Sequence, residues 1–259
     1  MPGPTIIEFA RIADACYLSA ETLLPLSTRI HYGQLASGFK GSHYHSVVGE
    51  AVVKVIAFAG TDSDGSKTPG PGEDRGTETA DFYDADKNQN DIVANSGFTG
   101  KAAGDRMIAA AKWIGKGDEV AAFLQRGSAR LSSQISDAVE LTKQAQGTAK
   151  PNELIFVTGH SLGGGLAQIV AATLGLKGVA FNAPSVSQLG FTLKDPTTFV
   201  NVNISNDPVS RATRAVGNQL GEIISIKTGD NMKEAHRQVR IIAALEAGPN
   251  KKHGDRQPF

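Results

Sequence analysis

The sequence predicts one α/β domain over residues 1–259, with a mostly parallel central sheet flanked by helices. Short, nearly continuous apolar runs, typical of buried parallel strands, alternate with longer stretches at helical spacing. The chain has 259 residues, of which 40% are hydrophobic, so it can bury one large core without disulfides or metals. The glycine-rich stretch 159–164 lies between one such apolar run and a helix-like stretch.

The first elements are predicted to be a helix and three strands. Apolar residues recur at three-and-four spacing over Ile6–Leu18, which favours a helix with one buried face. Glycines interrupt the stretch Ile30–Val48, which indicates hairpin strands, and Val52–Ala59 is typical of a buried strand. This strand leads into Gly60-Thr61-Asp62.

The middle of the chain is predicted to hold a surface loop and then helices. Ser63–Thr79 is rich in Gly, Pro and charged residues, so we interpret it as a polar, lid-like loop. Helical spacing covers Lys101–Phe123, with Trp113 on the apolar side and a break at residues 115–117, and continues over Ser128–Gln146.

Three further strands are predicted at Leu154–Val157, Val179–Asn182 and Phe199–Ile204. The helices before the first of these supply the crossover that parallel strands require. Each of the last two strands ends in polar residues, which places polar side chains at one edge of the sheet.

Composition narrows the classes of partner and compartment. The 26 basic and 26 acidic residues give a formal net charge of zero, which argues against a nucleic-acid binder or a polybasic membrane-surface protein. The single cysteine, Cys16, cannot form an internal disulfide, and we expect it to be a small apolar side chain in the first helix. We see no cleaved signal and no spanning apolar stretch. We therefore expect synthesis in the cytoplasm, with export without a cleaved signal left open.

The stretch Gly159-His160-Ser161-Leu162-Gly163-Gly164 is typical of a nucleophile elbow. In such an elbow, small residues allow a strained turn between a strand and a helix, and the turn presents the serine hydroxyl. The stretch lacks the Lys-Ser/Thr of a phosphate loop and the glycine spacing of a dinucleotide site. A structural glycine turn is the alternative, but the flanking strand and helix favour Ser161 as a nucleophile for an acyl carbon.

Such a serine needs a histidine to take its proton and a carboxylate to orient the histidine, in the chain order serine, acid, histidine. Asp207 fits the acid, because it follows the strand Phe199–Ile204 and opens a rigid Asp-Pro turn. An aspartate that merely starts a turn is the alternative. Asp195 has a similar context but precedes the strand, at the wrong end of the sheet.

Two histidines follow Asp207, and His236 is the predicted base. We expect it at the start of a helix whose inward residues are Val239, Ile242 and Leu245. His253 is the less favoured alternative, because it lies in a polar tail that we expect to fray, and a base must be held within hydrogen-bond reach. Packing or surface roles, with no metal cluster, are expected for His31, His43, His45 and His160.

The oxyanion of a tetrahedral intermediate needs preorganised donors. One is the backbone N–H of Leu162, directly after the nucleophile. The second is predicted at Thr61, which can offer both its backbone N–H and its hydroxyl.

At these positions the chain resembles the class 3 lipases, the α/β-hydrolase family of triacylglycerol lipases and related esterases and phospholipases. The resemblance covers about residues 30–245, and its landmarks are Phe58-Ala59-Gly60-Thr61, Gly97-Phe98, Thr158–Gly164, Phe181-Asn182-Ala183-Pro184 and Asn206-Asp207-Pro208-Val209. It implies an α/β-hydrolase fold and an acyl-enzyme mechanism on Ser161, His236 and Asp207.

The chain also departs from the family pattern. Ala59 replaces the usual arginine, and the intervals from Ser161 to Asp207 and on to His236 are shorter than in the fungal lipases. Between Asp62 and Ala80, where those lipases carry an amphipathic lid, the chain is polar. Because a polar loop presents no apolar face to an oil droplet, we expect weak interfacial activation and a preference for dispersed esters or phospholipids.

The sequence therefore predicts a serine hydrolase of lipid carboxylic esters, without cofactor, metal or nucleic-acid partner, and with at most transient membrane-surface contact. A thioesterase or peptidase with the same triad is one alternative, because the fold does not select the leaving group. A non-catalytic binding module on the same fold is another. By resemblance, bacterial toxins that degrade phospholipids use related domains, and an effector of that kind would call for an immunity or delivery protein.

Overall fold

The computed structural model describes residues 3–17, 27–32, 37, 39–48, 51–60, 97–112 and 117–259. Seven strands form one sheet in this part of the chain: β1 Ser27–Tyr32, β2 Gly41–Val48, β3 Ala51–Phe58, β4 Leu154–His160, β5 Lys177–Phe181, β6 Phe199–Ile204 and β7 Glu222–Ile226. The helices are α1 Ile6–Ala15, α2 Lys101–Lys112, α3 Gly117–Gly147, α4 Leu162–Leu174, α5 Pro208–Thr213, α6 Met232–Ala235, α7 Gln238–Glu246 and α8 Lys251–Gly254.

The strands lie side by side in chain order from β1 to β7. β1 to β3 pair antiparallel, and every pair from β3 to β7 is parallel. This confirms the prediction of a mostly parallel sheet flanked by helices. The carboxyl ends of β3, β4, β5 and β6 therefore open at one edge of the sheet, which is where parallel sheets place their ligand sites.

Two hydrophobic layers cover the two faces of the sheet. Val55 of β3 lies in the layer that contains α1 and α7, whereas the next residue, Ile56, lies in the layer that contains α3 and α4. This alternation follows from the two-residue period of a strand. Thr5 starts α1 with a capping box, in which Thr5 and Glu8 satisfy each other's backbone N–H groups.

Helix α3 corrects the prediction of two separate helical stretches. It runs without a break over Gly117–Gly147 and includes Gly127. A glycine inside a helix costs about 1 kcal/mol relative to alanine. Here the backbone approaches closely, because a Cβ added to Gly97 would lie 2.7 Å from the Gly127 carbonyl oxygen. Of the predicted break at 115–117, residues 115 and 116 lie outside the described residues, and Gly117 is helical.

The C-terminal region departs from the predictions in two further ways. Strand β7 was not predicted, because Glu222–Ile226 is a short edge strand with Ile223 exposed and no long apolar run. Helix α7 buries Gln238, Ile241 and Leu245, which confirms the inward position predicted for Leu245. Ile242 is partly buried against the same core, whereas Val239 is only partly buried and Ile241 was not predicted to face inward.

The prediction that the C-terminal tail frays is wrong. The ring of Phe259 stacks on Phe156 with centroids 5.9 Å apart, and the Arg256 carbonyl accepts the Ile6 N–H at 2.9 Å. His253 lies in α8 within this packed segment. The tail thus covers the α1 side of the sheet.

Several predicted features fall elsewhere or outside the described part of the chain. Cys16 directly follows α1, where it is buried and its Sγ contacts the Ala57 carbonyl at 3.3 Å. The loop Ser63–Thr79 and Trp113 lie outside the described residues. Among the helices that the structure describes, none combines the length and apolar character needed to cross a membrane.

Candidate active site

Ser161 occupies a strained turn between β4 and α4. Its backbone angles are φ 54° and ψ −128°, a region that side-chain-bearing residues rarely adopt. The Ser161 N–H donates to the Phe181 carbonyl at 3.0 Å, and the Ser161 carbonyl accepts from the Gly165 N–H at 3.1 Å. The end of β5 and the first turn of α4 thus hold the turn in place, as an elbow requires.

Two glycines allow the backbone segments around this turn to pack closely. A Cβ added to Gly163 would lie 2.0 Å from the Phe58 carbonyl oxygen, and one added to Gly159 would lie 2.4 Å from the Gly163 carbonyl oxygen. Both contacts are with backbone atoms, which cannot rotate away. The start of α4 therefore lies directly against the end of β3.

The structure brings the predicted Ser161, His236 and Asp207 together. The His236 Nε2 atom is 2.9 Å from the Ser161 Oγ atom, and the His236 Nδ1 atom is 2.5 Å from the Asp207 Oδ1 atom. All three side chains are buried. Because a carboxylate oxygen accepts hydrogen bonds, Nδ1 donates to Asp207, which leaves Nε2 of the neutral ring to accept from the serine hydroxyl. No hydrogen bond joins His253 to Ser161 among the described residues.

Asp207 both caps a helix and contacts the histidine. Its second carboxylate oxygen accepts the Ser210 N–H at 2.6 Å, and Pro208 occupies the first position of α5. The turn-starting role that was the alternative for this residue is thus present together with the histidine contact. Asp195 instead caps the short 3₁₀ helix Pro196–Thr198, which precedes β6.

The loop that carries His236 is fixed through two consecutive backbone carbonyls. His236 follows α6 and precedes α7, so it lies between two helices rather than at the start of one. The Asn182 side chain donates to the Ala235 carbonyl at 2.7 Å, and His160 Nε2 lies 2.6 Å from the His236 carbonyl oxygen. Asn182 has a positive φ of 44° at the end of β5. The sequence had shown Asn182 only as part of a strand-end motif.

His160 has a second partner that sequence reasoning missed. Its Nδ1 atom is 2.9 Å from the Tyr17 hydroxyl, and that hydroxyl accepts the Gly60 N–H at 2.9 Å. Burial and the nearby charge of His236 hold the pKa of His160 well below its ordinary value. No local pattern identifies Tyr17, because it lies 143 residues from His160 and just after α1.

Of the two predicted oxyanion donors, the structure describes Leu162 and not Thr61. Leu162 is the first residue of α4, so its N–H has no intrahelical partner and stands at the positive end of the helix dipole. Thr61 lies outside the described residues. Gly60, which precedes it, packs on the elbow, since a Cβ added to Gly60 would lie 3.0 Å from the Ser161 Cβ.

A metal centre is not formed by the part of the chain that the structure describes. There, no three His, Cys, Asp or Glu side chains are grouped so that they could hold an ion. The site presents a hydroxyl, an imidazole and a carboxylate in hydrogen-bonded order.

A parallel sheet with a strained serine turn at its carboxyl edge defines an α/β hydrolase. The sequence model of the class 3 lipases matches residues 77–215, which is more than half of the chain. The chain therefore belongs to the class 3 lipase family.

The similarity to an individual curated protein covers only part of each chain. Over 140 residues the chain is 32% identical to a Kluyveromyces lactis protein named "Putative lipase ATG15", a match that covers 52% of this chain and 24% of that protein. The chain thus spans about a quarter of the length of this curated relative.

Among solved structures, lipase II from Rhizopus niveus aligns at 16% identity with a TM-score of 0.46, over 86% of this chain and 81% of that one. A triacylglycerol lipase from Penicillium expansum aligns at 15% identity with a TM-score of 0.37, over 89% and 80% of the two chains. At such TM-scores, the fold assignment rests on the sheet topology and the family match.

Proposed function

We propose that this chain hydrolyses carboxylic esters of lipids through an acyl-enzyme intermediate on Ser161. The observation that carries the proposal is the hydrogen-bonded order from Ser161 through His236 to Asp207 at a strained turn. Membership of the class 3 lipases supports a lipid ester as the substrate.

In the first half of the reaction, Ser161 Oγ attacks the ester carbonyl carbon while His236 Nε2 takes the hydroxyl proton. The oxyanion that forms accepts a hydrogen bond from the Leu162 N–H, with Thr61 proposed as the second donor. His236 then gives its proton to the departing alcohol as the carbon–oxygen bond breaks, which leaves an acyl-serine. Asp207 keeps its negative charge and holds the imidazolium through Nδ1.

In the second half, water replaces the alcohol. His236 Nε2 takes one proton from water as the water oxygen attacks the acyl-serine carbonyl. When the intermediate collapses, the same proton returns to Ser161 Oγ, and the carboxylic acid leaves. The products are one alcohol and one acid, and the enzyme is regenerated.

We propose phospholipids as the finer substrate class, which makes the chain a phospholipase A type enzyme. Besides the polar composition after Thr61, two arginines support this choice. Arg211 lies in α5, which Asp207 begins, and Arg214 follows directly after that helix. Both are exposed, and neither forms an ion pair within the described residues. A guanidinium group can bind a phosphate through two parallel hydrogen bonds, and a phospholipid, unlike an acylglycerol, carries a phosphate.

The test is product analysis on a mixed extract of phospholipids and acylglycerols. Wild-type protein should release free fatty acid and lysophospholipid, detected by mass spectrometry, and Ser161→Ala should release neither. Equal release by Ser161→Ala would overturn the proposed mechanism. Release from acylglycerols alone would overturn the phospholipid preference.

A fluorophosphonate probe separates the remaining alternatives. The proposal expects covalent labelling of Ser161 together with ester cleavage. A labelled Ser161 without ester cleavage would point to a thioester or peptide substrate, and an unlabelled Ser161 in folded protein would point to a binding module. The effector interpretation and its immunity or delivery partner remain predictions, which neither the structure nor the relatives support.

A further inference from the structure

We propose that His160 and Tyr17 are positioning residues that connect the end of β3 to the backbone of His236. The inference rests on the proposed function, in which His236 is the base. Through this connection, one chain of hydrogen bonds fixes the positions of two backbone segments, the strand end that precedes Thr61 and the loop that carries His236.

The donor and acceptor of each hydrogen bond follow from the groups involved. The His236 carbonyl can only accept, so His160 Nε2 carries a proton and donates to it at 2.6 Å. In a neutral imidazole the other nitrogen is then an acceptor, so the Tyr17 hydroxyl donates to Nδ1 at 2.9 Å. The hydroxyl oxygen keeps a lone pair, which accepts the Gly60 N–H at 2.9 Å.

This arrangement requires a neutral His160. A protonated ring would carry hydrogen on both nitrogens, so Nδ1 could no longer accept from Tyr17. It would also place a positive charge beside His236, whose ring centroid is 4.9 Å away and which becomes an imidazolium during the reaction. Burial of His160 disfavours that charge.

Packing alone does not explain these residue types. An apolar side chain at position 160 could fill the same space, but the His236 carbonyl would lose a buried donor. Phenylalanine at position 17 would likewise leave the buried Gly60 N–H without its acceptor. Each loss leaves a polar group unsatisfied next to the reacting atoms. Asn182 holds the carbonyl of Ala235 and His160 holds the carbonyl of His236, so the peptide units on both sides of the His236 Cα are fixed.

Three variants and a matched control test the proposal. His160→Gln keeps an N–H near the Nε2 position, His160→Leu removes both ring nitrogens, and Tyr17→Phe removes the hydroxyl. The control is Thr142→Val in α3, which deletes a buried side-chain hydrogen bond to the Ala138 carbonyl that involves neither the elbow nor the histidine loop. For each, kcat, KM, the rate of fluorophosphonate labelling and the melting temperature are measured on folded protein.

A misplaced base lowers kcat and leaves substrate binding intact. We expect His160→Leu to lower kcat and the labelling rate by about 10- to 100-fold with little change in KM. His160→Gln should recover most of that loss. Tyr17→Phe should lower kcat less, and its effect should be smaller in the His160→Leu background, because only the contact of Tyr17 with the Gly60 N–H then remains to be lost. Thr142→Val should lower the melting temperature and keep kcat.

The inference is overturned if His160→Leu retains wild-type kcat, or if His160→Gln loses as much kcat as His160→Leu. Should His160→Leu fail to fold, Tyr17→Phe tests the inference instead. Wild-type kcat and labelling rate in Tyr17→Phe would then overturn it. Failure of the proposed function looks different, because the wild-type protein itself would then show neither labelling nor ester cleavage.

Discussion

The Nε2 atom of His236 lies 2.9 Å from the Oγ atom of Ser161, although 75 residues separate the two in the chain. Ser161 reaches this position through the turn after β4, and His236 reaches it through the junction of α6 and α7, which come after β7. Neither position depends on the other's local sequence. Their contact is therefore produced by the strand order of the sheet.

Replacement of Asp207 by asparagine should abolish most activity with little loss of stability. Asparagine keeps an oxygen that can accept the Ser210 N–H and so can still cap α5. Its amide cannot orient the histidine as the carboxylate does, because the wrong tautomer of His236 is then favoured. We expect kcat to fall by about 10⁴-fold at pH 7, as measured on a soluble ester.

The matched control is Asp195→Asn. Asp195 also caps a short helix, through the Thr197 N–H, but it precedes β6. Its variant should keep wild-type kcat. A loss of activity in Asp195→Asn, or an active Asp207→Asn, would remove Asp207 from the proposed role.

Gly163→Ala should destabilise the fold through backbone overlap. The added Cβ would lie 2.0 Å from the Phe58 carbonyl oxygen, so α4 and β3 must separate. Overpacking of this kind costs about 1–3 kcal/mol of unfolding free energy, measurable by urea denaturation. Gly147→Ala at the end of α3 is the control, since nothing lies within 4 Å of its added Cβ, and its stability should be unchanged or slightly raised.

Stability should fall as the pH is lowered from about 6.5 toward about 4, partly because of His43. Burial, with His45 and Lys54 adding to it and Glu153 opposing it, lowers the pKa of His43 from 6.5 to about 4. Between these values the unfolded chain binds more protons than the folded chain. Stability rises with pH wherever the unfolded state binds more protons. The contribution of His43 to the free energy of unfolding is therefore complete above about pH 6.5 and is lost as the pH falls toward about 4.

Urea denaturation of wild type and His43→Asn at several pH values checks this expectation. The variant lacks one group that must stay neutral, so its unfolding free energy should depend less steeply on pH between about 6.5 and 4. Identical slopes for the two proteins would show that His43 does not contribute. His160, whose pKa is lowered by burial and by His236, acts in the same direction and should leave a residual slope in both proteins.

Local patterns allowed prediction of the parallel core of the sheet, apart from β7, and of the residues that the site brings together. The strand Phe199–Ile204 was predicted with its observed bounds because all six residues are buried, and four of them are aromatic or β-branched apolar residues. The elbow was predicted because its small residues are imposed by contacts with neighbouring backbone, such as that of Gly163 with Phe58.

The parts that were missed depend on contacts distant in sequence. Strand β7 pairs with β6 along one edge, with Ile224 opposite Val202, and only its alternate residues Ile224 and Ile226 are buried, which is too short a pattern to predict a strand by itself. Helix α3 continues through Gly127, although the sequence there predicts an interruption, and the Gly127 carbonyl packs closely on Gly97. Tyr17 and Asn182 contact backbone groups of segments that are distant in sequence. Because every residue has such backbone groups, these contacts produce no sequence motif that could be recognised.

The most direct measurement of the central claim is the mass of the acyl-enzyme. Wild-type protein and His236→Ala are mixed with a p-nitrophenyl ester, quenched in acid within one turnover, and digested for peptide mass spectrometry. We expect one acyl group on the wild-type peptide that contains Ser161, and one equivalent of p-nitrophenol released as that acyl group is attached. His236→Ala should show no acylation on the same timescale. An acyl group on another residue, or equal acylation of the two proteins, would contradict it.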